Sequence, residues 1–96
     1  MISSFGDEAT EDIFHGEHTK VARRIPVLIW KTACRRFDML NAAHELRDLL
    51  VPLGNRLETL HGTLAGKHSI RINDQFRIVF RWKEGNAHEV RITDYH

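Results

Sequence analysis

Three runs with a two-residue period constrain this chain more than any other feature: "HSIRI" at 68–72, "FRIVFRW" at 76–82 and "HEVRIT" at 88–93. Side chains alternate between the faces of a strand, so each run reads as a strand with one apolar face. The intervening "NDQ" and "KEGNA" hold turn residues and are too short for a crossover helix, which leaves an antiparallel meander. Ile70, Ile72, Phe76, Ile78, Phe80, Trp82, Val90 and Ile92 then share the core face. For these sets to face the same way, the first hairpin needs an odd loop. Asn73, Asp74 and Gln75 supply one, pairing Ile72 with Phe76 and Ile70 with Ile78. The same odd-loop argument, applied to the second hairpin, keeps Arg81 and Arg91 on the face of Arg71 and Arg77.

The first half changes period. "MISSF" is strand-like, and "GDEATEDIFHG" reads as a helix with acids in its first turn and Gly16 as its stop. Pro26 fits a first helical turn, after which Ile29, Ala33, Phe37 and Leu40 form one apolar stripe. Asn41 is a candidate cap for a continuation carrying Leu46, Leu49 and Leu50, which "VPLGNR" ends. The expected architecture is a single α+β domain over 1–96, with two or three N-terminal helices on one face of a twisted, mainly antiparallel sheet.

At 96 residues the chain holds one core, and one of this size buries roughly two-thirds of its unfolded surface without metal or disulfide staples. A single cysteine, Cys34, excludes an internal disulfide and suits a reducing compartment. The acidic opening is not a secretory signal, and no segment approaches the ~20 apolar residues of a membrane span. A cytoplasmic protein with no membrane partner is the expectation. Residues 1–55 carry seven Lys/Arg against eight Asp/Glu, whereas 56–96 carry seven against five and four of the seven histidines. Cationic character is therefore placed in the C-terminal part.

Arg71 opposite Arg77 is an arrangement that stability alone disfavours, since like charges directly across two strands repel. One reading is a solvated face whose arginine stems cover apolar surface. The other is an anion site, because guanidinium matches phosphate oxygens. Tyr95 shares the arginine parity, while Asp94 and His96 have core parity but stand at the chain end, beside the sheet's rim. Arg56, Glu58, His61, Lys67 and His68 precede the first of the three strands. Together these are the parts of a phosphodiester-cleaving site: a base for the 2′-hydroxyl, cations for the pentacovalent phosphate, and an acid for the leaving oxygen.

The segments "GNRLETLHG" and "SIRINDQFRI" and the terminal "DYH" resemble the HigB toxins of the RelE/ParE superfamily, with a match spanning nearly the whole chain. The resemblance implies a RelE-like fold and a ribosome-dependent messenger-RNA endoribonuclease of a type II toxin–antitoxin system. It implies no metal and no organic cofactor. Its expected partners are the ribosome and a HigA-type helix-turn-helix antitoxin, with DNA reached only through the antitoxin complex. By position, Arg77 matches the phosphate-stabilising sheet arginine, Asp94 and His96 match the C-terminal acid and histidine as base candidates, and Tyr95 would position substrate. Some HigB toxins carry histidine at the position of Glu58 and lysine at that of His61. A histidine with pKa ~6.5 supplies less positive charge than lysine at neutral pH. Lys67 and Arg71 would make up that charge, with Arg81, Arg91 and Arg56 on the same phosphate surface. A toxin that acts by binding alone, to the ribosome or in the ParE manner to DNA gyrase, is the alternative.

His15 and His18 have helix-turn spacing but no cysteine partners, a poor metal set. Cys34 reads as a packing residue, and Trp30 as either core or antitoxin interface.

Overall fold

The fold is seen in a computed structural model that describes residues 1–94. Helix α1 spans Glu8–Phe14 and helix α2 spans Trp30–Ala42. The strands are β1 (Glu58–Thr59), β2 (Lys67–Arg71), β3 (Phe76–Lys83) and β4 (Asn86–Asp94). Among the described residues they form one antiparallel sheet in the order β1-β2-β3-β4.

Local chemistry sets the helix ends. The Asp7 carboxylate accepts from the Thr10 N–H at 2.8 Å, closing the start of α1, and such caps are worth about 1 kcal/mol. Gly16, at φ +73°, turns the chain out of the helix as its sequence position predicts. The stripe Ala33, Phe37, Leu40 faces a core completed by Ile13, Ile70, Ile78, Phe80, Val90 and Ile92. Trp30 belongs to this core, with its indole N–H donating to the Ile25 carbonyl at 2.9 Å. His18 lies against the Trp30 ring and His15 against those of Phe5 and Phe14. Among the described residues, no cluster of His, Cys, Asp or Glu is placed to hold a metal, and no helix is long and apolar enough to cross a membrane.

The register of the first hairpin is the one its parity requires: Ile70 pairs with Ile78 and Arg71 with Arg77. Elsewhere the structure differs from the sequence reading. The second hairpin closes on a two-residue loop, Glu84–Gly85, between paired Lys83 and Asn86, and not on an odd loop. Both loop residues have positive φ (+53° and +77°), the geometry that matches strand twist. Parity is restored farther along by a bulge: Arg81 pairs with His88 but Val79 with Arg91, and Glu89 takes φ +54° between them. Ala87 and Val90 consequently both face the core.

The continuation expected after Asn41 is a 3₁₀ turn over Leu46–Leu50 capped by Glu45, not an α-helix capped by Asn41. Asp48 accepts from the His44 and Glu45 N–H groups at 3.0 Å each, which hold its carboxyl below its ordinary pKa and favour the tight turn. Asn41 instead accepts from the Ile2 N–H at 2.9 Å. The opening residues run parallel to β4, through bridges Ile2–Ala87 and Phe5–Val90. Gly6 fits there because a Cβ would meet the Glu89 carbonyl oxygen at 3.0 Å.

Candidate active site on the outer face of the sheet

The face away from the helices carries Arg71, Arg77, Val79, Arg81 and Arg91. The strand pattern left a solvated arginine face as one of two readings, yet Arg77 is only 8% exposed. The chain between Pro52 and Leu64 encloses it. Arg56 adopts a left-handed backbone (φ +44°), and its carbonyl accepts from Arg77 Nη2. Arg77 Nε donates to the Ser69 hydroxyl at 2.7 Å, and Nη2 lies 3.4 Å from the Ser69 carbonyl oxygen. Nη1 lies 3.6 Å from Glu58 Oε1, whose side chain is half-exposed. A buried guanidinium with neutral acceptors on two of its nitrogens and a carboxylate at the third is fixed in orientation before any ligand arrives.

The short strand β1 produces the carboxylate's placement. Glu58 pairs with Ser69, so both project on the arginine face, and Leu60, whose N–H donates to the Lys67 carbonyl at 2.9 Å, is buried on that side. Asn55, fully buried, donates to the Leu49 carbonyl at 3.2 Å and helps anchor the loop that presents Arg56. Ser69 and Asn55 were not among the sequence candidates. For Ser69 a signal existed: once Ile70 is registered with Ile78, it falls diagonal to Arg77 on the arginine face.

The other cations are arranged differently. Lys67 pairs in register with Arg81. Arg81 Nε bonds Glu89 Oε2 at 2.6 Å, Arg71 Nη2 pairs with Asp74, and Arg91 Nε lies 3.3 Å from Asp7 Oδ2. Arg91 also donates to the Gly6 carbonyl at 2.9 Å, which ties it to the start of α1 and not to the Arg77 cluster. Exposed pairs such as Arg81–Glu89 contribute little and can open toward a polyanion. The Arg56 side chain is exposed beside its own strut carbonyl. His61 is exposed at the start of the Gly62–Leu64 turn. Asp94, opposite Phe76 at the sheet's end, accepts from Gln75 Nε2 at 3.0 Å. Tyr95 and His96 lie outside the described residues.

Burial shifts the pKa of two titratable groups that lie outside the arginine cluster. Burial lowers the pKa of His68, whose ring lies near Phe80 on the other face and whose Nδ1 is 3.2 Å from Thr59 Oγ1. Burial, with a smaller contribution from Asp38, raises that of the Cys34 thiol.

Comparison with known proteins gives a consistent result. The model of the family described as RelE-like toxin of type II toxin-antitoxin system HigB matches residues 3–96. The chain is 40% identical over 87 residues to Toxin HigB-1 of Vibrio cholerae, covering 91% of this chain and 90% of that protein. It is 30% identical over 72 residues to an uncharacterised protein of Haemophilus influenzae, covering 75% and 71%. The YoeB-YefM complex from Staphylococcus aureus contains a chain that superposes with TM-score 0.61 at 16% identity, covering all of this chain and 98% of that one, a likeness of fold.

Proposed function

Since this chain belongs to the HigB family of RelE-like toxins of type II toxin–antitoxin systems, we propose that it is a metal-independent, ribosome-dependent endoribonuclease: it cuts messenger RNA only on the ribosome, and a HigA-type antitoxin neutralises it. One observation carries the reading. The sheet face holds a buried, pre-oriented arginine, Arg77, with a partly exposed carboxylate, Glu58, 3.6 Å from its Nη1.

The chemistry follows from that pair. Glu58 takes the proton of a 2′-hydroxyl, and the freed oxygen attacks the adjacent phosphorus. Arg77 receives the charge that develops on the phosphoryl oxygens, where a fixed donor in a dry setting acts most strongly. The leaving 5′-oxygen needs a proton, and the candidate donors are Asp94, at the end of β4, and His96. Lys67, Arg71 and Arg81 hold the flanking phosphates, and Tyr95 positions a base. Where the sequence reading named Asp94 and His96 as base candidates, we assign the base to Glu58 because its carboxylate lies 3.6 Å from Arg77 Nη1.

The binding-only alternative draws on the same contact, because a carboxylate beside Arg77 also competes with phosphate. Mapping messenger-RNA 5′ ends in a translation reaction, with and without ribosomes, separates the two. Ribosome-dependent cuts that vanish in Arg77→Lys and weaken in His96→Ala are expected. A folded wild-type protein that makes no cuts would overturn the enzyme reading, and gyrase inhibition would then be assayed.

A further inference from the structure

The charge balance of −1 over residues 1–55 conceals two blocks of opposite sign. Residues 1–17 hold five Asp/Glu and no Lys/Arg, whereas residues 18–37 hold six Lys/Arg and no Asp/Glu. In the structure the second block runs from the turn before α2 into its first half, on the helix side of the molecule and away from the Arg77 face. Lys20, Arg23, Arg24, Lys31 and Arg35 are all exposed, and none makes an ion pair among the described residues. By contrast, Arg71, Arg77, Arg81 and Arg91 on the sheet all have carboxylate partners.

Apolar surface lies inside this cationic block. Leu28 is 94% exposed and Val27 is 56% exposed, on the 3₁₀ turn that leads into α2. Arg24 also borders a cleft of about 320 Å³ lined by Val21, Ile25, Ala9 and Ile92 and by the acidic Asp7 and Glu8, which leaves that cleft outside the cationic surface. Lone exposed leucines need no explanation, but two adjacent exposed aliphatic side chains flanked by cations without carboxylate partners are a patterned surface. A phosphate backbone would use the cations and ignore the aliphatic groups. A peptide carrying both carboxylates and apolar side chains would use both, the cations speeding encounter and the apolar contacts slowing release.

We infer that the surface of residues 20–35 is the docking site for an acidic, amphipathic segment of the antitoxin, which seats apolar side chains on Val27 and Leu28 among these cations. This rests on the antitoxin partnership proposed above and deepens it: the antitoxin holds the toxin from the helix side, without needing to touch Arg77 or Glu58.

Calorimetric titration with the purified antitoxin encoded beside this toxin tests the surface. The toxin variants are Leu28→Ser and the double charge reversal Lys31→Glu with Arg35→Glu, with Arg77→Lys as control. Each surface variant should bind the antitoxin at least tenfold more weakly than wild type in ~0.1 M salt. The loss from charge reversal should shrink as salt rises, because exposed charges are screened over ~10 Å at that ionic strength. Messenger-RNA cleavage and the thermal midpoint should not change, and the control should bind normally. Undiminished binding by both surface variants overturns the proposal. Normal antitoxin binding combined with lost co-sedimentation with ribosomes also overturns it and assigns the surface to RNA. Failure of the wild-type toxin to bind this antitoxin, with cleavage intact, removes the partnership and the docking surface together but leaves the enzyme standing.

Discussion

On the helix side of the sheet, Ile70, Ile78, Phe80 and Val90 join one continuous apolar core, whereas on the other side the buried residues are Ser69, Arg77, Val79 and Leu60. The first side is held by area removed from water, a non-directional effect that tolerates exchange among residues of similar volume. The second is held by directed bonds from one guanidinium to Ser69, Arg56 and Glu58. A buried polar group is costly when any partner is lost, so this side is brittle where the other is forgiving. The contrast teaches where the molecule invests in packing and where it invests in orientation.

The comparison can be broken most forcefully from the apolar side. Phe80→Ala should destabilise the protein by about 3–5 kcal/mol, read by urea unfolding, with residual cleavage tracking the folded fraction. Ser69→Ala should cost less, about 1–3 kcal/mol, because Arg77 Nε loses its acceptor. Its cleavage rate should nevertheless fall tenfold or more in the protein that remains folded, and Ser69→Thr should recover part of it. Equal loss of stability and rate would make Ser69 merely structural. Glu58→Gln sharpens the contrast further: a half-exposed ion pair contributes about 0–1 kcal/mol, so stability should barely move. Loss of a general base should cut cleavage by roughly 10²–10⁴-fold. Faster cleavage in that variant would identify Glu58 as a competitor of phosphate instead.

The smallest effect concerns pH. Burial depresses the His68 pKa below its ordinary 6.5. As pH falls through that value the unfolded chain takes up the proton first, so stability contributed at neutral pH is lost on acidification. His68→Gln should flatten this part of the profile between about pH 7 and pH 5.5. An unchanged slope would show that other groups set it.

Legibility from sequence follows the same division. Alternation identified β2, β3 and β4 and fixed the Ile70–Ile78 register, because each apolar residue can satisfy only one face. The Glu84–Gly85 loop and the Glu89 bulge escaped, since an even loop plus one extra residue leaves the same parity as an odd loop. The turn at Leu46–Leu50 escaped because leucine spacing suits an α-helix, whereas the Glu45–Asp48 cap decides the local geometry. β1 is too short to alternate. The arginine face was legible as a set of like charges. That Arg77 is enclosed was not, because the enclosure depends on a loop whose placement no strand pattern records.

The parallel bridging of residues 2 and 5 to residues 87 and 90 has a consequence for how the chain is made. These contacts join stretches separated by 85 positions, so residues 2–5 gain their pairing surface only after residues 87–90 have been made. A product released before Ala87 lacks the strand that its first residues grip and leaves the hydrogen-bonding edge of β3 unpaired. The pairing of residues 2 and 5 and the arginine cradle with the end of β4 therefore depend on the same strand, and a chain cut before Ala87 loses both together.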